Sequence, residues 1–316
     1  MPKRHPPLPA PLTGVPFTPG DAREWGLTRR RMSASDIAHP HHGVYSSAAS
    51  GDLFGACEAA LPLLGGSRWF SHLTAARLWG VPVPLPWRDG EPLHVLSLGA
   101  AEPLRRPGIV GWGSGDHPGD AFVGPLPMVS PAGVWAELSV PGALGIDPET
   151  GRRRALSVDW LVAAGDYLVT GPFRRRGGRV PLCNLDDLAA AGRAHRGKRG
   201  AKALAAALPL VRVGPQSPRE SLLRLALVDQ GLSEPVVQPP VQTRAGIRHS
   251  DLGHPDRGVL IEYHGDHHRT DAAQWREDLT RQQLFEDAGY RVLVATLDDL
   301  ADGCRSFAVR VRRALA

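Results

Sequence analysis

Asp251, Glu262, His264, His267 and His268 fall within eighteen residues of one another in a chain of 316. Glu262 ends the apolar run Val259-Leu260-Ile261, and Tyr263, His264, Gly265, Asp266, His267 and His268 follow it directly. A carboxylate on a core strand costs free energy unless it is paired or metal-bound, so a strand that ends this way points to a site. Two carboxylates held close repel and raise one pKa unless a divalent cation neutralises them. Mg2+ takes one or two carboxylates together with waters and substrate phosphate oxygens, and the chemistry such a centre supports is attack of an activated water on a phosphodiester. Asp251 and Glu262 are therefore expected to hold Mg2+ or Mn2+, with His264 or His267 assisting proton transfer. His267 and His268 are adjacent on an extended segment and point apart, which makes them a poor two-ligand site, and HExxH spacing is absent. The competing reading pairs Asp251 and Glu262 with arginines such as Arg248 and Arg269; the two acids together, at hairpin spacing, favour the metal.

The elements that must position these groups are legible around them. Alternate residues of a strand share a face, so Leu260, Glu262 and His264 lie on one side and Val259, Ile261 and Tyr263 on the other. A turn over 253–258 folds a strand at Ile247–Leu252 back on Val259–His264 and brings Asp251 beside Leu260–Glu262. Upstream, Ser217-Pro218-Arg219-Glu220 is an N-cap, a first-turn proline and an early acid, opening a helix that Gly231 stops. An extended segment at Val236–Thr243 is interrupted by Pro239-Pro240. An amphipathic helix at Ala272–Ala288, a strand at Tyr290–Thr296 and a last helix from about Leu297 complete the order αβββαβα. Gly214-Pro215-Gln216 is a linker, which sets the boundary of this domain at 209–316.

Residues 217–314 resemble the Vsr-like (very-short-patch-repair-like) branch of the PD-(D/E)xK nuclease superfamily in its actinobacterial form. The resemblance rests on Asp251, Ile261-Glu262-Tyr263, Gly265, His267 and His268, and downstream on Trp275, Asp278, Arg281, Gly289-Tyr290 and Asp299-Leu300. It implies a restriction-endonuclease-like fold, with Asp251 and Glu262 as the metal-binding carboxylates and Glu220 as the helix glutamate. It places His264 at the third position of ExK, and His267 or His268 as the histidine that helps activate water or the leaving group. The ExK lysine itself is absent, since lysine occurs only at positions 3, 198 and 202.

The N-terminal half has a different character. Residues 1–16 are proline-rich and expected to be disordered or extended. Thr18-Pro19 opens a short helix that Gly26 stops, and Thr28 opens a second through Arg29, Arg30 and Arg31, the form of a helix-turn-helix. His41-His42-Gly43-Val44-Tyr45 would begin a wing. This stretch, with His72-Leu73-Thr74-Ala75-Ala76-Arg77-Leu78-Trp79-Gly80, is similar to the winged-helix region of AbiEi-type antitoxin-like proteins; Ala75, Leu78 and Trp79 sit at helical spacing, so His72 and Trp79 are expected to be packing groups. Residues 81–135 are short strands and turns, 155–168 a helix, and 186–208 an alanine-rich helix with a basic middle. The expected class is a mixed α+β and α/β protein: a winged-helix-like region at 17–135, a helical region and basic connector at 136–208, and the nuclease-like domain.

A net charge of +5 favours an anionic partner, nucleic acid first. Arg29, Arg30, Arg31, Arg196, Lys198, Arg199 and Arg269 are the candidate phosphate contacts. Three cysteines far apart argue for a reducing compartment, and no apolar run approaches the roughly 18 residues of a membrane span. The N-terminus has charges but no apolar run after them, unlike a signal peptide. The expectation is a cytoplasmic, Mg2+- or Mn2+-dependent DNA endonuclease or nickase, in phage defence or DNA repair, with DNA as partner, no membrane, and a cognate toxin or other defence partner. The alternative is a non-catalytic DNA-binding regulator of antitoxin type that keeps the nuclease fold as a scaffold.

Overall fold

Thr18 sets the start of the first helix: its hydroxyl accepts from the Asp21 amide while the Asp21 carboxylate accepts from the Thr18 amide. The computed structural model describes residues 5–47, 51–116, 119–174, 178–265 and 272–316, with 272–278 as backbone only. Helix α1 (Pro19–Glu24) leads to α2 (Arg29–Met32) and to an antiparallel hairpin of β1 (Ala38–His41) and β2 (Val44–Ser46). Phe17, Ala22 and Met32 bury against Leu12. Leu12 ends a 3₁₀ turn over Ala10–Leu12, which corrects the expectation of a disordered or extended tail up to residue 16. Burying that leucine is worth roughly 2 kcal/mol, enough to hold the short turn against the helices.

The chain divides into two compact units, Met1–Ala155 and Leu156–Ala316. Of the region expected over 136–208, the first twenty residues belong to the first unit and the remainder to the second. The first unit continues with α3 (Leu53–Ala60), β3 (Arg68–Phe70), α4 (His72–Leu78), β4 (Leu93–Leu98), β5 (Arg105–Arg106), β6 (Ile109–Ser114), β7 (Asp120–Val123), β8 (Leu126–Val129) and α5 (Pro131–Glu137). Strands β3–β8 form one sheet in the order β5-β6-β4-β3-β8-β7. Of the expected packing groups, His72 is buried and stacks on Trp112 with ring centroids 3.8 Å apart, and Trp79 is half-buried, its indole donating to the Val129 carbonyl at 3.1 Å. Glu137 accepts from the His72 amide at 2.8 Å, and burial pushes its carboxyl up to about 8.

The second unit opens with α6 (Val158–Thr170), the small hairpin β9 (Phe173–Arg174) and β10 (Gly178–Arg179), then α7 (Leu185–Ala194) and α8 (Ala201–Ala207). The single helix expected over 186–208 is thus two helices, because Gly197 and Gly200 take positive φ of 80° and 93° and break it. Next come α9 (Pro218–Asp229), β11 (Val236–Val237), β12 (Pro240–Thr243), β13 (Gly246–His249), β14 (Leu252–His254), β15 (Val259–Tyr263), α10 (Ala272–Asp287), β16 (Arg291–Ala295), α11 (Leu297–Ala301) and α12 (Arg305–Leu315).

Two expected strands are each divided. Gln238-Pro239 separates β11 from β12, at the expected proline interruption, and Ser250-Asp251 separates β13 from β14, so that β12 and β13 pair as a hairpin of their own. The remaining strands form a sheet in the order β11-β14-β15-β16, antiparallel up to β15 and parallel between β15 and β16, with α10 as the crossover.

Strand alternation sorts the core into two layers. Val259 and Ile261 face Leu223 and Leu227 of α9 and Phe307, Ala308 and Val311 of α12, whereas Leu260 faces Val241 and Phe285 of α10. Helix α9 is fastened from beneath by a buried ion pair, Arg224 Nη2 to Asp166 Oδ2 at 3.2 Å, both side chains 1% exposed. Ser221 Oγ donates to the same Asp166 oxygen at 2.7 Å, and Arg224 Nη1 reaches Glu234 at 2.6 Å. This network fixes the helix one residue after Glu220. Among the described residues no helix is long and apolar enough to cross a membrane.

Candidate functional site

The register of the hairpin decides what meets at its open end. Leu252 pairs with Ile261 and Gly253 with Leu260, which places Asp251 opposite Glu262. The Asp251 amide donates to Glu262 Oε1 at 3.2 Å, and the Tyr263 amide donates to Asp251 Oδ2 at 2.9 Å. One oxygen of each carboxylate is held by main chain. The other two, Asp251 Oδ1 and Glu262 Oε2, lie 3.4 Å and 3.3 Å from a single atom, Nη2 of Arg281 on α10. That nitrogen also donates to the His249 carbonyl.

Glu220 reaches the same end of the sheet from the first turn of α9. Ser217 caps the helix on the Glu220 amide at 3.3 Å, and Glu220 Oε2 accepts from the Gln216 amide at 2.8 Å and from Gln238 Nε2 at 3.2 Å. Gln238 holds a positive φ of 50°, a strained setting for a residue other than glycine, and its side-chain oxygen accepts from Gln216 Nε2 at 2.9 Å.

The electrostatics follow from burial. Glu220 and Glu262 are 5% and 6% exposed. Desolvation and the nearby charge of Asp251 push each of them up to about 7. Burial also raises Asp251, opposed by the Tyr263 amide, by Arg281 and by the neighbouring His264. Three carboxylates therefore influence one another, with one guanidinium between two of them.

As the side chains stand, no three His, Cys, Asp or Glu residues among those described converge tightly enough to hold a metal ion. Two carboxylate oxygens converging on one point, where a cationic nitrogen already sits, nonetheless fit the one or two carboxylates that Mg2+ takes. The donor set is all oxygen, which suits Mg2+ or Mn2+ better than a softer ion.

The other candidate residues fall elsewhere. His264 follows β15, with its amide donating to the Ala295 carbonyl at 2.9 Å, close enough for its charge to act on Asp251. His267, His268 and Arg269 lie outside the described residues. Arg248, one alternative partner for the acids, turns its Nη1 back to the Ile247 carbonyl, and among the described residues the arginine paired with them is Arg281. In the first unit Arg29 and Arg30 are exposed. Arg31 is already engaged: it grips Asp36 with two bonds of 2.8 Å and donates through Nε to the Pro6 carbonyl at 2.7 Å. Arg196, Lys198 and Arg199 are exposed in the loop between α7 and α8 rather than on a helix.

Sequence reasoning gave no role to Arg281, Gln216 or Gln238. The signal for Arg281 was its spacing: four residues before the buried Phe285, it shares the face of α10 that looks onto Leu260 and Glu262.

The chain is similar to two proteins of Mycobacterium tuberculosis, the uncharacterized protein MT2308 of strain CDC 1551 / Oshkosh and the uncharacterized protein Rv2248 of strain H37Rv. Each is 28% identical over 138 residues, which cover 43% of this chain and 51% of the relative. The chain thus spans about half the length of the curated relatives it matches. No family model and no solved structure matches it.

Proposed function

We propose that the second unit is a Vsr-like, divalent-metal-dependent DNA endonuclease or nickase, hydrolysing phosphodiester bonds in phage defence or DNA repair. The observation that carries the reading is the convergence of Asp251 Oδ1 and Glu262 Oε2 on one point at the open end of the sheet, with Glu220 buried beside them. Asp251 and Glu262 would hold Mg2+ or Mn2+, and a bound cation would supply Lewis-acid polarisation of a phosphate oxygen.

The residues do the rest. The Asp251 and Tyr263 amides fix the rotation of both carboxylates, so that their outward oxygens share a focus. Glu220, whose carboxyl burial and the Asp251 charge push up to about 7 in the metal-free protein, would be a group for proton transfer beside them. His264 stands beside Asp251 as a second group for proton transfer, in the place where the resembling family has lysine. The helix–helix–hairpin order at the start of the first unit supports a winged-helix module that carries DNA through Arg29 and Arg30, and a cognate toxin or other defence partner belongs to the same reading.

A second reading is favoured by one observation: Arg281 already neutralises both carboxylates, as it would in a nuclease fold retained only as the scaffold of an antitoxin-type DNA-binding regulator.

Cleavage of supercoiled plasmid separates the two. The nuclease reading expects relaxed or linear product with Mg2+ or Mn2+, lost on chelation and in Asp251→Ala and Glu262→Ala. Salt-sensitive DNA binding with no metal-dependent product supports the regulator, and cleavage that persists in both variants misplaces the site.

A further inference from the structure

Arg281 meets its acids differently from Arg31 and Arg77. Arg31 meets Asp36 with two separate nitrogens at 2.8 Å each, and Arg77 meets Glu91 through Nε and Nη2 at 2.7 Å and 2.8 Å. These are fork-to-fork pairs of normal charge-assisted length. Arg281 instead offers one nitrogen to two different carboxylates, at 3.4 Å and 3.3 Å. Both distances exceed the roughly 2.7–2.9 Å of a good charged hydrogen bond. The guanidinium is therefore attracted by the charge of the pair and is not locked to either acid.

Its surroundings allow it to leave. The Arg281 side chain is 36% exposed, whereas the carboxylates it bridges are 15% and 8% exposed. Among the described residues its other contacts are a short hydrogen bond to the solvent-side His249 carbonyl and the face of Phe285, 5.8 Å from the ring centroid, a distance at the outer limit of a cation–π contact. Neither is a buried anchor of the kind that holds Arg224.

We infer that Arg281 is the site's resident counter-cation, a positioning residue whose Nη2 holds the place of a divalent ion and must withdraw before that ion can bind. This rests on the reading of Asp251 and Glu262 as metal ligands. A small divalent ion bonds oxygen at roughly 2.0–2.1 Å, so an ion on Asp251 Oδ1 and Glu262 Oε2 occupies the space that Nη2 now fills, and two cations on the same oxygens repel. Metal uptake is then an exchange of one cation for another. The arginine keeps the acids aligned beforehand and lowers the affinity of the ion that replaces it.

The test is calorimetric titration of the metal-free full chain with Mn2+ at about pH 8, where acids of this kind are ionised, for the wild type, Arg281→Gln, Arg281→Lys and Asp251→Asn. Removing the charge in Arg281→Gln is expected to tighten Mn2+ binding by about tenfold, the scale of two partly screened ion pairs. Arg281→Lys, which keeps the charge, is expected to stay within about threefold of wild type, and Asp251→Asn to abolish the binding isotherm. If wild type binds Mn2+ through Asp251 but Arg281→Gln binds equally or more weakly, the exchange is overturned and the metal site stands. If neither wild type nor Arg281→Gln binds Mn2+, the metal reading itself falls, and the inference with it. A loss of far-ultraviolet circular dichroism in Arg281→Gln shifts the decision to Arg281→Lys, where a change of tenfold or more in either direction counts against a purely charge-based exchange.

Discussion

Asp251 and Glu262 are clasped by the main chain of their own hairpin: the Asp251 amide donates to Glu262 Oε1 at 3.2 Å, while the Tyr263 amide beyond Glu262 donates to Asp251 Oδ2 at 2.9 Å. At the break between β13 and β14 the Asp251 carbonyl still accepts from the Gln238 amide at 3.0 Å, while its amide turns to a side chain. A continuous strand through 247–252 would have spent that amide on the neighbouring backbone.

Stability of the metal-free protein is expected to depend on this cluster with a definite sign. Glu220 and Glu262 rise from an ordinary 4.5 to about 7 in the folded state, because burial and Asp251 disfavour their charged forms. Between those values the folded chain holds more protons than the unfolded one, so this contribution is full below about pH 4.5 and is lost as pH rises through 7. Replacing Glu262 by Gln removes one such group. Melting temperatures across pH 4 to 8.5 are expected to show the variant gaining on wild type between about pH 4.5 and 7, with the difference levelling off above that. Parallel curves for the two proteins would contradict the assignment.

The support beneath α9 makes a separate prediction. Arg224→Met leaves Asp166 buried without its cation, and breaking a buried pair from one side costs about 3–5 kcal/mol. Pairing that change with Asp166→Leu is expected to recover most of the loss in denaturant unfolding, since an apolar replacement of both partners carries no orphaned charge. A double variant as unstable as the single one would mean that the network does more than hold the helix in place.

The basic residues divide by what they already touch. Arg29 and Arg30 are exposed, whereas Arg31 is committed to Asp36 and to Pro6. Double substitution of Arg29 and Arg30 by Ala is expected to lower the slope of log affinity for DNA against log salt by about 2. Arg31→Ala is expected to leave that slope unchanged and to cost about 1 kcal/mol of stability. An equal loss of slope in both variants would place Arg31 on the DNA as well.

Much of the second unit was legible because its signals are local. Ser217-Pro218 fixes the start of α9 through a cap and a missing donor, and the apolar run at 259–263 with Gly258 in the left-handed region fixes β15 and its turn. What escaped depends on distant partners. The six-stranded sheet of the first unit pairs β4 with β6 and β3 with β8 in parallel, joining segments that proline and glycine make aperiodic in the sequence. The division of β12 from β11 follows Pro239-Pro240, which was visible, but its consequence, a separate hairpin of β12 and β13, was not. At the site, strand alternation separated Val259 and Ile261 from Leu260 and aligned Glu262 with Asp251. The cation between the acids came from a helix thirty residues further on, and no strand pattern contains it.

The most direct measurement is a crystal structure of the full chain grown with Mn2+, read by its anomalous signal. The account predicts one strong peak ligated by Asp251 Oδ1 and Glu262 Oε2, with Arg281 withdrawn from both and Glu220 turned toward the ion. Arg281 still bridging the two carboxylates, with no peak between them in crystals that bind Mn2+ elsewhere, would contradict it.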